Sequence, residues 1–536
     1  MTKHIKHFAL LLFLLAGSIT AWAAGNDDDA ALRLKIHNAI MEVYNKYIEK
    51  DPNDYKTLLE RSAQQYSMGY LDEALADVNR AIICMPQKEK DLAYEARILR
   101  ARIYDDKNDL KAELADLNEA IEMNKSSLVG IDMLAKLSYK LGDYKAAEQN
   151  YQIILSKQPR NYDAMYGLAL VELKRGNGEN AIAQVNKAVE LYPANTQVYL
   201  NRADIMERTA NYGSAANNYM LAMTTNDDNG QAIRSLFALS DTHYNDVMDA
   251  LRAATDQAPG TGLFFRVRSS IALKHEHYGQ ALKDLETLID ANLMSHAAVR
   301  NEAARCAFEI CDYDKALTHI NKAIEQNNGE PAYFVLKSRI MQQKGDMNAA
   351  MQALDEADKA GAGNMAAKLQ RARLLIAQKK NKDAQQVLNE AIAIDGSDPQ
   401  ALLLRGWLSK YRLNNEAAAR IDFETLLMGK TTMHGLHGFA LHELGRDDEA
   451  RQWAEQIIKD NILPGGEAYA IAAALLSDMD DNDGALKYLE SALANGYGSA
   501  FEVNVNEAPY VNLKLLRRHP DFATLVSRFP DNFTVK

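Results

Sequence analysis

Small, apolar and turn-forming residues recur along this chain at a fixed interval of 34 positions. The interval is clearest between Leu128 and Asn195, where two consecutive segments can be laid on one another. In this register the coinciding pairs are Ala135 with Ala169, Gly142 with Gly176, Ala147 with Ala181, Leu155 with Val189 and Pro159 with Pro193. The pattern predicts a helix–turn–helix unit that is repeated in tandem.

Thirteen windows with this pattern cover residues 55–497. They begin near Tyr55, Tyr94, Leu128, Tyr162, Thr196, Asp228, Gly262, Ala297, Pro331, Met365, Pro399, Thr431 and Gly466. The eighth position of every window is Ser, Ala or Gly, and the twentieth is Ala except at Glu113 and Val247. We expect these positions to be small because the two helices of a unit cross closely there, and overpacking costs about 1–3 kcal/mol.

A small residue, a turn glycine, two alanines and a closing proline at these offsets resemble the tetratricopeptide repeat (TPR) family. The resemblance implies an all-α fold: a right-handed α-solenoid superhelix of about thirteen TPR-like helix–turn–helix repeats with helical caps. A chain of 536 residues exceeds the usual size of one compact domain. A solenoid accommodates that length because it grows in one dimension without one large core.

The two ends of the array are predicted to be caps. Residues 24–54 form an N-terminal capping helix from about Ala30 to Lys50, with an apolar stripe at Ala39, Val43 and Tyr47. Residues 498–536 form a C-terminal helical cap over the last apolar face, as solenoid ends require. Its apolar residues are Leu513, Leu515, Leu516, Phe522, Leu525 and Phe529.

The array itself is divided at a soft boundary. Residues 55–259 form its first half and residues 260–497 its second half. The turn composition Pro259-Gly-Thr-Gly262 follows an unusually short unit and motivates this division.

Residues 1–23 have the pattern of a secretory signal peptide. Lys3 and Lys6 precede an apolar run, residues 8–16, which is too short to span a membrane, and Ala21-Trp22-Ala23 is a cleavage site. No cysteine follows the cleavage site, so a lipoprotein anchor is not expected. The pattern predicts an exported protein, most simply periplasmic, with secretion or association with the cell envelope as alternatives.

Charge and motifs narrow the function classes. The formal charge is −12, and loss of Lys3 and Lys6 with the signal peptide makes it −14. An acidic surface argues against general nucleic-acid binding. No G-x-S-x-G or Walker P-loop sequence occurs, and the repeats leave no room for a catalytic domain. We therefore expect a non-enzymatic protein with no catalytic residues and no cofactor.

Cysteines and histidines offer weak signals for metal or redox chemistry. Cys306 and Cys311 lie five apart on one predicted helix, which is unsuitable for a disulfide. His434 and His437 share a helix face, but no carboxylate completes a zinc pattern, so no metal site is predicted. An enzyme that uses a metal at these histidines is the third hypothesis. His275 and His277 fall at a turn and are expected to be solvated surface.

One set of charges is interpreted as structural. In four windows an Arg at the seventh position is followed by an acceptor 16 residues later. The couples are Arg61 with Asp77, Arg100 with Asp116, Arg202 with Asn218 and Arg268 with Asp284. Ion pairs or hydrogen bonds between the two helices of a unit explain this spacing.

A second set of charges is the candidate ligand site. Arg305, Arg339 and Arg373 repeat at the ninth position of three consecutive windows, and Arg102 and Lys136 hold it in two earlier ones. In the TPR family this position lines the concave groove, so the residues are candidates for binding a carboxylate-bearing peptide. Local pairing with acids such as Glu302 and Asp355 is the alternative. The Lys/Asn clamp of some family members is not reproduced.

Aromatic residues also fall near the predicted groove, at Tyr66, Tyr139, Phe308, Trp407, Tyr411 and Phe439. Packing against the next unit is the favoured interpretation for most of them. Trp407 and Tyr411 are the best candidates for contact with a ligand.

Two functions follow from these features. The first is a scaffold that binds a protein or peptide in its concave groove, as implied by the family resemblance. The alternative is a glycan-binding protein, or an accessory of cell-envelope polysaccharide assembly or uptake. In that alternative the aromatics near Trp407 stack on sugars.

Overall fold

The computed structural model describes residues 27–225, 230–429, 436–460, 463, 466–500, 513 and 516–529, with side chains from residue 35 onward. Within these ranges every regular element is a helix, and the helices follow one another in pairs. The predicted all-α array of helix–turn–helix repeats is confirmed. The predicted signal peptide, residues 1–23, lies outside the described residues.

Two compact units make up the chain, one ending at Asn211 and the other beginning at Tyr212. The first unit contains α1 Asp27–Lys50, α2 Tyr55–Ser67, α3 Leu71–Cys84, α4 Lys90–Asp106, α5 Leu110–Met123, α6 Leu128–Lys140, α7 Tyr144–Lys157, α8 Tyr162–Lys174, α9 Gly178–Leu191 and α10 Thr196–Arg208. The boundary proposed at residue 260 on turn composition stays a prediction.

The second unit contains the remaining described helices. They are α11 Tyr212–Thr225, α12 Gly230–Thr242, α13 Tyr244–Gln257, α14 Gly262–Lys274, α15 Tyr278–Asp290, α16 Ala297–Glu309, α17 Tyr313–Gln326, α18 Pro331–Gln343, α19 Met347–Ala360, α20 Met365–Ala377, α21 Asn381–Ile394, α22 Pro399–Arg412, α23 Glu416–Met428, α24 His437–Glu443, α25 Asp447–Lys459, α26 Glu467–Asp478, α27 Asn482–Ala494, the 3₁₀ helix Leu516–Arg518 and α28 Phe522–Ser527.

The turn inside most of the described repeats contains one residue in the left-handed backbone region. Gly142 and Gly176 have φ values of +80° and +82°, which glycine adopts without strain. Other repeats place Glu276 (φ +59°) or Cys311 (φ +64°) at the equivalent position. Cys311 thus lies in the turn after α16, and the prediction that it shares a helix with Cys306 was wrong.

Close helix crossing explains the small residues at the eighth and twentieth positions. Ala135 and Ala147 are fully buried where α6 and α7 pack together. In α22 the eighth position is Gly406, and a Cβ there would lie 2.5 Å from the ring of Phe423 on α23. The large ring of Phe423 therefore fits at this crossing because the facing helix carries no side chain at Gly406.

The N-terminal helix α1 buries a different face from the predicted one. Ala39, Val43 and Tyr47 are exposed. His37 and Ile48 are the buried positions, and Ile48 joins the core of α2 and α3. Both sets have helical spacing, so only the packing against α2 distinguishes them.

The carboxylate of Glu113 is buried where α4 and α5 cross. Glu113 occupies a position that is Ala in most repeats, and only 3% of it is exposed. Its Oε2 atom has no hydrogen-bond partner among the described residues. Burial, reinforced by the Asp105 carboxylate against the opposing Lys140 charge, raises the pKa of Glu113 to about 7.

We predict that Glu113→Ala stabilises the first unit by about 1–3 kcal/mol at pH 8, because it removes a buried acceptor without a partner. The folded-state pKa lies above that of an unfolded chain, so ionisation on raising the pH from about 4.5 to 7 destabilises the parent. The variant should lose this contribution to the pH dependence. Hydrogen exchange of the α4 and α5 amides at pH 5 and pH 8, corrected for the intrinsic exchange rates, checks both effects, with Glu119→Ala, an exposed residue of the same helix, as control.

The C-terminal residues extend the core of the last repeats. Leu513, Leu516, Phe522 and Leu525 are buried in one cluster with Leu489 and Leu493 of α27. Leu515, named with them as a capping residue, lies outside the described part of the chain. This cluster covers the apolar face that the last helix pair would otherwise expose.

Candidate functional site

The arginine row, defined as Arg305, Arg339 and Arg373, lies on the first helices of three consecutive repeats. These helices are α16, α18 and α20, and α18 packs against both of the others. The three residues occupy equivalent positions on them. Arg305 is exposed, whereas Arg339 and Arg373 are half-buried. The row thus presents cationic groups at the 34-residue interval of the sequence.

Arg339 has the most elaborate surroundings in the row. Its Nη2 atom is 4.0 Å from Glu309 Oε1 at the end of α16. Its guanidinium lies 4.4 Å from the ring centroid of Phe308, which is fully buried. The carboxylate and the ring face both favour the cation, so Arg339 is held in position and its charge is partly offset.

Local pairing of the row follows a different scheme from the predicted one. Glu302 forms a bidentate pair with Arg266, in which Nη2 and Oε1 are 2.9 Å apart. Asp355 accepts from Arg371 at 2.9 Å. The two acids proposed as partners of the row therefore bind other arginines.

The ends of the row differ in their contacts. The Nη2 atom of Arg373 donates to Gln400 Oε1 at 3.1 Å. Arg305 takes part in none of the salt bridges found between the described side chains. Its exposed cation is the best-placed group of the row for an anionic ligand.

The two earlier candidates, Arg102 and Lys136, belong to the first unit and are exposed. Lys136 Nζ is 2.7 Å from Asp132 Oδ2, one helical turn earlier on α6. This surface pair weakens the case for Lys136 as a free ligand group, although such exposed pairs contribute little stability.

Trp407 and Tyr411 form an aromatic pair on α22, with ring centroids 5.7 Å apart. Trp407 is half-buried and packs on the core, whereas 49% of Tyr411 is exposed. The Tyr411 hydroxyl donates to Glu443 Oε2 at 2.9 Å, and Lys410 Nζ donates to the same atom at 2.8 Å. These bonds hold an exposed ring in one orientation, as a stacking surface requires.

Phe308 and Phe439 are fully buried, which confirms the packing interpretation for these two aromatics. Tyr66 and Tyr139 are half-buried. Tyr411 is the only one of the six aromatics that is exposed, so it is the first candidate for contact with a ligand.

The structural interpretation of the other arginines is confirmed where both partners lie in one unit. Arg61, Arg100 and Arg268 each donate twice to the aspartate 16 positions later, at 2.6–2.8 Å. Arg202 lies at the end of the first unit and contacts Asn186 Oδ1 at 3.4 Å. Arg405 forms the same pair with Asp422 at a spacing of 17, which the 16-residue rule missed.

The turn histidines are not solvated surface, so that prediction was wrong. The ring of His277 stacks on Tyr244 with a centroid distance of 4.6 Å, and His275 lies 4.9 Å from the same ring. Burial, with a smaller effect of His275, lowers the pKa of His277 to about 4. His277 is therefore a neutral side chain packed between elements.

His437 is buried in α24, and His434 lies outside the described residues. Among the residues that the structure describes, no three His, Cys, Asp or Glu side chains converge on a position suited to a metal ion. The three cysteines are free thiols, and Cys306 is buried.

Family models described as "Tetratricopeptide repeat" match residues 94–127, 133–196, 267–331 and 341–408. These segments coincide with helix pairs of both units. This chain therefore contains tetratricopeptide repeats in both of its units. That the arginine row lines a ligand-binding groove of these repeats stays a prediction.

Two curated relatives match parts of the TPR array. Cellulose synthase operon protein C of Pseudomonas fluorescens (strain SBW25) is 27% identical over 184 residues, 33% of this chain and 14% of that protein. The BBSome complex member bbs-4 of Caenorhabditis elegans is 32% identical over 100 residues, 19% of this chain and 22% of that protein. This chain therefore spans less than a quarter of either relative's length.

Solved structures with a similar fold include yeast Tom70, with a TM-score of 0.37 and 13% identity, covering 82% of this chain and 97% of that one. A tetratricopeptide repeat protein from Parabacteroides merdae ATCC 43184 has a TM-score of 0.28 and 16% identity, covering 54% and 98%. At TM-scores below 0.5, these likenesses carry no argument about function.

Within the described residues, none of the TPR helices combines the length and the apolar character that a membrane span requires.

Glu309 and Glu443 are the site residues that sequence reasoning missed. Both lie at the thirteenth position of their repeat, at the end of a first helix, and each contacts a candidate residue: Arg339 or Tyr411. Their shared offset was visible in the sequence. Their roles were not, because an acid at a helix end is usually solvated.

Proposed function

We propose that this TPR chain is an exported, non-enzymatic scaffold that binds a protein or peptide partner in its groove. The partner carries carboxylates that meet the arginine row. The arrangement that supports this proposal most directly is the set of three arginines on consecutive first helices, with Arg305 exposed at one end. Guanidinium groups suit bidentate binding of carboxylates.

Recognition would combine polar and apolar contacts along the second unit. The arginines would fix the register of an extended segment, since each repeat contributes one cation at the same position. Tyr411, one repeat beyond Arg373, offers an exposed ring as an anchor for an apolar side chain. Export is supported by the signal-peptide pattern of residues 1–23.

We predict that charge reversal in the row removes the partner. A chain of residues 24–536 is used to capture proteins from a cell-envelope extract, beside a variant with Arg305, Arg339 and Arg373 all changed to Glu. We expect at least one protein to be retained by the parent and lost from the variant, because three attractive contacts become repulsive. Mass spectrometry of the eluates identifies it.

The matched control changes Arg252, Arg420 and Arg446 to Glu, which alters the net charge by the same amount at exposed positions outside the row. This control should retain the partner. Equal helicity of all three proteins by circular dichroism is required before the comparison. Identical eluates from parent and row variant would rule out the row as the binding site.

A second candidate function is binding of an envelope polysaccharide. It is supported by the rigidly held ring of Tyr411 beside Trp407, with the Arg412 guanidinium 5.3 Å from the indole centroid. The Pseudomonas fluorescens relative, named as a cellulose synthase operon protein, is consistent with such a role. Affinity electrophoresis in gels containing carboxymethyl cellulose tests it. Retardation of the parent that Tyr411→Ala abolishes would favour this function over the first.

A further inference from the structure

The end of the last repeat lies against helices far earlier in the second unit. Ser499 Oγ donates to Glu309 Oε2 at 2.7 Å, and the two residues are 190 positions apart. Both are buried, with 3% of Ser499 and 9% of Glu309 exposed. In a solenoid each repeat normally contacts only its neighbours, so this contact across four intervening repeats is a distinct feature of the unit.

The segment that makes this contact, Gly496–Ala500, is closely fitted to its surroundings. A Cβ on Gly496 would lie 3.0 Å from His277 Nε2 and 3.7 Å from the carbonyl oxygen of His275. Gly496 also has a φ of +90°, which other residues adopt only with strain. The four residues after it are all buried. The turn histidines are therefore covered by this segment and by Tyr244, which explains why they are not solvated.

The segment shares a side chain with the arginine row. Glu309 receives the Ser499 hydroxyl on Oε2, while its Oε1 is 4.0 Å from Arg339. An anionic peptide that reached Arg339 would meet Glu309 at the same place. The Glu309 carboxyl group therefore links two events: binding of the Ser499 hydroxyl to Glu309 and binding of an external carboxylate to Arg339.

We propose that Gly496–Ala500 is a built-in peptide ligand of the second unit. It occupies a subsite formed by His277 and Glu309 beside the arginine row, and an external segment enters this subsite only by displacing it. The subsite binds a glycine against the imidazole of His277. It also binds a residue three positions later whose hydroxyl donates to the carboxylate of Glu309. The displacing role rests on the proposed peptide-binding function, whereas the docking of the segment does not.

A peptide of the same sequence is the direct probe of the subsite. A tethered segment has an effective concentration on the order of millimolar, so a free copy of equal affinity competes poorly with it. The test uses the full chain and the peptide Ala-Asn-Gly-Tyr-Gly-Ser-Ala of residues 494–500, followed by saturation-transfer difference NMR, which detects weak binding.

Gly496→Val should expel the tethered segment through steric conflict with His277. We expect saturation transfer to the peptide to rise by at least about threefold over the parent, since the tethered competitor is removed. Gly345→Val is the matched control, because Gly345 has a φ of +83° but no atom within 4 Å of its Cβ position. It should behave as the parent. Adding Glu309→Ala to Gly496→Val should return the signal to the parent level.

A milder pair of variants separates docking from misfolding. Ser499→Ala removes the hydroxyl on Glu309, and Ser491→Ala removes one that binds only the Lys487 carbonyl oxygen on its own helix. Reaction of His277 with diethylpyrocarbonate, measured by mass spectrometry relative to His296, should become faster in Ser499→Ala but not in Ser491→Ala.

The proposal is overturned if Gly496→Val and the parent give equal peptide signals, including no signal in either. It is also overturned if neither Gly496→Val nor Ser499→Ala accelerates the reaction of His277. Failure of the scaffold proposal is recognised separately, because it would appear as the absence of a row-dependent partner while the peptide and histidine results still hold.

Discussion

Arg268→Met is expected to destabilise the second unit by about 3–5 kcal/mol, because it leaves the buried carboxylate of Asp284 without its cation. The guanidinium donates to both Asp284 oxygens at 2.8 and 2.6 Å and to Thr255 Oγ1 at 2.7 Å. Only 9% and 1% of the two charged side chains are exposed. Repeat arrays do not unfold in one step, so hydrogen exchange of the α14 and α15 amides is the appropriate measurement.

The matched control for this prediction is Arg252→Met. Arg252 also pairs with an aspartate, Asp249, but 63% and 69% of these side chains are exposed. Exposed pairs contribute about 0–1 kcal/mol, so exchange should change little. Replacing both partners, Arg268→Met with Asp284→Leu, should recover most of the loss because no unpaired charge remains. Equal effects of the Arg268 and Arg252 variants would contradict a buried ion pair.

The second large effect is expected at Gly406, where alanine should destabilise although it is the better helix former. Helix propensity favours Ala over Gly by about 1 kcal/mol. Against this, the added Cβ would lie 2.5–2.9 Å from three atoms of the Phe423 ring. Overpacking of this kind costs about 1–3 kcal/mol, so the net change should be destabilising. Hydrogen exchange of the α22 and α23 amides measures it.

Gly213→Ala provides the opposite case on the same unit. Gly213 lies in α11 with no atom within 4 Å of its Cβ position, so only the propensity term remains. This variant should stabilise the protein by up to about 1 kcal/mol. Phe423→Leu should in turn reduce the cost of Gly406→Ala, because it creates room at the crossing. If alanine stabilised the protein at both Gly406 and Gly213, the contact with Phe423 would not be what makes alanine unfavourable at Gly406.

The candidate site was predictable in position but not in pairing. The recurrence of Arg305, Arg339 and Arg373 in the sequence placed them on equivalent faces of consecutive helices, because register within a repeat is local. Which acid each would meet was not readable. Glu302 and Asp355, like Glu309, lie near the row in the sequence, but helix packing directs them to Arg266 and Arg371.

The same distinction applies to the fold. The 34-residue recurrence was sufficient to place nine first helices at the residue where each begins, among them α6, α8 and α14. Small residues at crossings and left-handed residues at turns are requirements of one repeat and its neighbour. Such requirements recur with the repeat and can therefore be recognised in a single sequence.

Features outside the nearest-neighbour pattern were decided by tertiary packing alone. Two faces of α1 have residues at helical spacing, and packing against α2 determines which of the two is buried. The covering of His277, and the hydrogen bond between Ser499 and Glu309, join parts of the chain separated by several repeats. No periodic signal marks such a contact, since it occurs once, where the geometry of the whole second unit brings its end back to α16.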